Sequence, residues 1–135
     1  MRSYLIWASV LLFLISIALP VVTFKDIRPQ ENNDETWYGW GVLLLGWLGP
    51  RVNNYAWFAN VFWLVGSLVL ARGGRIPLIL LSVAAVLALT MFQLPGSIAD
   101  WNAEGGKKQA SSFHYGAYVW LASMLSQWCG AIMSK

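Results

Sequence analysis

A chain of 135 residues has the length of one domain. It is 58% hydrophobic and only 11% charged, with a mean hydropathy of +0.55, against roughly 25% charged residues in an average soluble domain. That balance excludes an ordinary water-covered surface. The net charge of +3 is scattered through loops with no basic block, which excludes a nucleic-acid-binding face.

The first apolar interval runs from Ser3 to Phe24 and is rich in Leu, Ile, Val and Phe. Arg2, Leu5 to Ile15 and Ser16-Ile17-Ala18 have the outline of a signal peptide. The apolar run continues to Phe24, so it is read as a retained first span, with Pro20 tolerated near its end. Lys25 to Glu35 follows as a solvated acidic loop. Its alternation is wrong for an EF-hand, and no glycine marks the turn.

Trp37 to Trp63 is the segment around which the chain is organised. It holds Trp37, Trp40, Trp47, Trp57 and Trp63 together with Gly39, Gly41, Gly46 and Gly49. Its first part, about 37–49, is apolar but shorter than the ~20 residues a membrane crossing needs. It reads as a re-entrant or interfacial helix ended by Gly49-Pro50-Arg51. Trp37, Trp40, Trp47 and Trp57 are expected at the headgroup level.

Further apolar stretches lie at about 53–71, 76–94 and 113–133. The turn Arg72 to Arg75 makes the first two antiparallel neighbours, and Pro95-Gly96 ends the second. Ser97 to Ser111 reads as a loop with a short surface helix around Trp101 and a flexible Gly105 to Lys108 link. The expected fold is all-α: a polytopic bundle of four transmembrane helices plus the short helix, with five transmembrane helices as the alternative. With the N-terminus in the cytoplasm, the inner segments of the four-span arrangement carry Arg2, Arg72, Arg75 and Lys135.

Small residues recur at spacing four in Ala122, Ser126 and Gly130, and again in Ala84 and Ala88. These rows are expected to pack helices closely, within the bundle or as the seam of a homo-oligomer or membrane-protein partner. Asn60, Gln93 and Gln127 are the uncharged polar residues of the apolar stretches, and an amide there needs a partner. Asn60 is expected to anchor the short helix through a carbonyl near Gly46 or Gly49. His114, the one histidine, is assigned an interfacial hydrogen bond. It cannot form a zinc set, and Cys129 is the one cysteine, so no metal site, cofactor or disulfide is expected. Ser111 and Ser112 near His114 lack an orienting third group, so no catalytic residue is assigned.

The segments Gly41 to Gly49, Tyr55 to Asn60, Arg72 to Arg75 and Tyr118 to Ser123 resemble a group of small bacterial inner-membrane proteins of unknown function. That resemblance implies inner-membrane residence and carries no activity. The function expected is a structural, accessory or interaction role in contact with the lipid bilayer. The alternatives are an oligomeric pore lined by Asn60, Gln93 and Gln127, and a lipid-interface enzyme using His114, Asp100, Glu104, Lys107 and Lys108.

Overall fold

The N-terminal apolar run does not stay helical. In the computed structural model, which describes residues 2–27, 34–52, 54–70, 75–93, 98–100 and 107–133, helix α1 covers Arg2–Ala18 and strand β1 covers Pro20–Asp26. Pro20 lacks an N–H and disfavours helix at Leu19. The Val-Val-Thr-Phe that follows has high strand propensity. Within β1, Val22 and Phe24 are buried while Lys25 is exposed, the alternation of a half-buried strand.

Strand β2 is Glu35–Tyr38, helix α2 Gly39–Leu45 and helix α3 Ala59–Leu70. Helix α4 is Ile76–Leu89, strand β3 Ile98–Asp100, strand β4 Lys107–Phe113 and helix α5 Tyr115–Ile132. Short 3-10 segments at Gly46–Val52 and Ala56–Phe58 join α2 to α3, and Thr90–Gln93 extends α4. The four strands form one antiparallel sheet in the order β2-β1-β4-β3. Val22 lies opposite Trp37 on one side and Phe113 on the other, and Thr23 lies opposite Thr36 and Ser112. Val22, Phe24 and Ala110 face inward with Trp37 and Phe113 packed against them. Full burial of a side chain such as Val22 or Phe24 stabilises by about 1.5–3 kcal/mol.

The helices make a bundle closed by side chains of matched size. Phe13 of α1 stacks on Trp63 of α3 at 4.7 Å. Leu81 of α4 lies against Gly66 of α3, and Gly130 of α5 lets Leu5 of α1 approach. Ala84 and Ala88 are buried in this core. Of the other small-residue row, Gly130 faces α1, Ser126 donates back to its own helix at Ala122, and Ala122 is exposed. A buried polar chain crosses the bundle. The Trp63 indole donates to Ser9 Oγ at 3.1 Å, and Ser9 donates to the Ser123 carbonyl at 2.7 Å. Gln127, fully buried, donates to Ser67 Oγ at 2.9 Å, and its Oε1 has no partner among the described residues.

Four expectations are corrected here. The all-α class fails because β1, β2, β3 and β4 build a sheet from the intervals assigned to the end of the first span and to the two loops. The four- or five-span arrangement fails because only Ile76–Gln93, with 18 residues and mean hydropathy 2.2, is long and apolar enough to cross a membrane among the described residues. Helix α1 stops at Ala18 and α3 has 12 residues, while α5 has 18 but carries Ser123, Ser126 and Gln127. Multi-pass residence in a bacterial inner membrane, with a cytoplasmic N-terminus, rested on those spans and falls with them. The short helix is also recut, since Trp37 and Tyr38 belong to β2 and the helical part ends in a 3-10 turn containing Pro50. The turn at 71–74 and the Trp101 and Glu104 part of the second loop lie outside the described residues, as do Arg28 to Asn33 of the first.

The outward faces remain apolar. Trp7, Leu11 and Leu14 on α1, Leu64 and Leu68 on α3, and Ile79 and Val86 on α4 are all exposed.

Candidate apolar binding site

The sheet and the bundle do not close completely on each other. Between them lies a partly open cavity of about 110 Å³. Phe13, Ser16 and Ile17 of α1 form one wall, and Val22, Phe24 and Trp37 of the sheet another. Val42, Leu43 and Gly46 of the Trp-rich segment, with Trp57 beyond it, complete a third side, while Asn60 and Trp120 come from α3 and α5. Among the described residues, none of those lining it carries a formal charge.

Close backbone approach holds this wall in place. The Gly39 N–H donates to the Leu19 carbonyl at 2.9 Å, and the His114 N–H donates to the Val21 carbonyl at 2.9 Å. These bonds clamp the chain on both sides of β1 where α2 and α5 begin. The Trp57 indole donates to the Leu43 carbonyl at 2.8 Å, with its ring lying where a Gly46 side chain would be. Asn54 is buried and spans the next joint, donating to the Thr90 carbonyl at 2.9 Å and accepting the Ala56 N–H at 3.1 Å. The Trp-rich segment is therefore anchored by Trp57 and Asn54. Asn60 instead accepts the Trp120 indole N–H at 2.8 Å.

The four tryptophans expected as one interfacial belt divide. Trp40 and Trp47 are exposed, whereas Trp37 and Trp57 are half-buried in the cavity wall. Trp37 meets Phe24 edge-on at 5.5 Å. The polar residues do not line one axis, since neither Gln93 nor Gln127 reaches this cavity. Gln93 is exposed at the end of the 3-10 segment after α4.

His114 bonds the sheet rather than a reacting group. Its Nε2 lies 2.7 Å from Thr23 Oγ1, which lies 2.9 Å from Thr36 Oγ1. Asp100 pairs with Lys107 in the strand register, at the far end of β4 from Phe113. Six residues of strand separate those ends by about 20 Å. Asp100 and His114 thus do not meet in one cluster, and Glu104 lies outside the described residues. Among the described residues no group of three or more His, Cys, Asp or Glu could hold a metal ion.

No known protein family, characterised protein or solved structure matches this chain. The resemblance carried by Gly41 to Gly49 and Tyr55 to Asn60 gains nothing from these comparisons. Sequence reasoning missed Phe13, Ser16, Val22 and Phe24 as site residues because it placed all four in a lipid-facing span. The alternation Pro20, Val22, Phe24 was the signal that could have found the last two.

At the sheet edge of the site, Lys108 of β4 reaches across β1 to Glu35 of β2. The hydrogen bond from Lys108 holds the Glu35 carboxyl below its ordinary range. Partial burial opposes this, and the Lys108 charge and a bond from Trp37 add to it. A carboxyl depressed in the folded state stabilises fully above its unfolded pKa, about 4.3, and loses that contribution as pH falls through the lower folded value. Glu35 is half exposed, so the pair contributes less than about 1 kcal/mol. Lys108→Met is therefore expected to lower stability slightly at pH 7, with a deficit that shrinks as pH falls below the unfolded carboxyl value, read by denaturant unfolding across an acid titration. A deficit that grows on acidification would contradict this assignment.

Proposed function

We propose that this chain is a non-catalytic accessory protein that binds a hydrocarbon chain, such as the tail of a lipid, between its sheet and its helices. The observation that carries this reading is the cavity of about 110 Å³, uncharged among the described residues and walled by Phe13, Val42, Trp57 and Trp120. Ligand sites are mostly apolar clefts with a few placed polar groups. An apolar cavity of about 150 Å³ admits a benzene-sized body, so this one suits a run of about four to six carbons. The apolar outer faces of α1, α3 and α4 support a setting in which lipid is the partner.

Six methylenes buried at about 0.8 kcal/mol each give roughly 5 kcal/mol, which sets the affinity of such a chain in the sub-millimolar range at best. The test uses 1-bromohexane, whose bromine quenches nearby tryptophan fluorescence. Saturable quenching is expected from the full chain, because Trp37, Trp57 and Trp120 line the cavity. Val42→Phe fills the space and is expected to abolish the saturable part. Quenching that is linear in concentration, or unchanged in Val42→Phe, would show that no chain enters.

A further inference from the structure

The polar groups around the cavity are all engaged except one. Ser16 Oγ donates to the Phe13 carbonyl at 2.7 Å, and the Trp57 indole to that of Leu43. Both ends of the Asn54 amide are bonded, and Trp37 donates to Glu35. Trp120 donates to Asn60 at 2.8 Å. An indole N–H can only donate, so the Asn60 atom facing it must be the carbonyl oxygen. The amide orientation is thereby set by chemistry, and Asn60 Nδ2, with its two N–H groups, has no partner among the described residues. The side chain that carries it lines the cavity.

We infer that Asn60 Nδ2 receives an oxygen acceptor on the bound chain, so that the ligand is an uncharged lipid-like molecule bearing a carbonyl group, such as an acyl ester. This rests on the chain-binding reading above. It adds the polar end of the ligand and its charge. Among the described residues no charged side chain lines the wall, so an ionised headgroup at this depth would find no partner there, which is costly. Asn60 is only partly buried, so its free donor stays open to the cavity, and a carbonyl oxygen entering there satisfies it. Trp120 acts as a positioning residue, holding the amide by its oxygen so that the donor end serves the ligand.

Methyl 6-bromohexanoate and 1-bromohexane separate the two claims, because both carry the quenching bromine and only the ester carries a carbonyl. The native chain is expected to bind the ester about three- to tenfold more tightly, the range of one neutral hydrogen bond. Asn60→Leu and Asn60→Val both remove the donor, together with the oxygen that holds Trp120. In each, the ester preference is expected to vanish while 1-bromohexane still quenches saturably. Equal affinity of the native chain for the two probes would overturn the inference and leave chain binding intact, and that comparison needs no variant to fold. An ester preference that survives in Asn60→Leu would overturn it too. If neither probe quenches saturably, the chain-binding reading fails and this inference with it.

Discussion

Leu81→Ala is expected to lower the unfolding free energy by about 3–5 kcal/mol, the range for a leucine truncated in a tight core. Leu81 is only 1% exposed and belongs to the main core cluster with Trp63, Ala84, Ala88 and Met124. For a domain of this size the loss corresponds to a fall in Tm of roughly 10–15 °C. Its neighbour makes the prediction sharper. A Cβ added at Gly66 would lie 2.9 Å from Leu81 Cγ and Cδ2. Gly66→Ala alone therefore crowds the core, at a cost of about 1–2 kcal/mol after the helix-propensity gain of alanine. In the double variant the new methyl enters the space that Leu81 leaves. The two effects should fall short of additivity by at least about 1 kcal/mol, as residues in direct contact do. Thermal and denaturant unfolding of the four proteins reads this directly. Additivity within about 0.5 kcal/mol would mean that α3 and α4 do not meet at Gly66 and Leu81.

Gly39→Ala is expected to destabilise by about 3 kcal/mol or more and to abolish probe binding in the cavity. At the β2–α2 junction a Cβ would stand 2.6 Å from the Ile17 Cα and closer still to the Ser16 carbonyl oxygen. Those are backbone atoms at the end of α1. They can move only if the α1–β1 joint, including the Gly39 to Leu19 hydrogen bond, comes apart. Overpacking against flexible side chains typically costs about 1–3 kcal/mol, and here there is no side chain to yield. Gly41→Ala is the control, because nothing lies within 4 Å of a Cβ there. That variant should be neutral, or more stable by up to about 1 kcal/mol, since alanine favours helix over glycine. Equal melting temperatures for the two alanine variants would remove Gly39 from the joint.

Much of the helical part was readable. The apolar helix beginning at Ile76 and the late helix from Tyr115 follow from runs without charge and from Pro77 near a helix start. The burial of Ala84 and Ala88 followed from their spacing. The error lay in counting uninterrupted apolar length from Ser3 to Phe24 and overlooking the change of period at Pro20. Strand β4 offered less still, for Lys107–Phe113 contains only Ala110 and Phe113 as apolar residues and reads as a loop in isolation. It is a strand because β1 lies beside it and pairs with it.

Composition and local chemistry were enough to establish an unusually apolar chain, to end its short helix near Pro50 and to start another near Pro77. Those properties depend on residue type and on neighbours close in sequence. The sheet, the cavity beneath it and the partners of Asn60 and His114 depend on residues far apart in the chain. Trp120 meets Asn60 and His114 meets Thr23 only because α5 returns beside α1 and α3. An amide in an apolar stretch announces that it needs a partner, but which donor reaches it, and which of its own N–H groups is left over, is decided by packing.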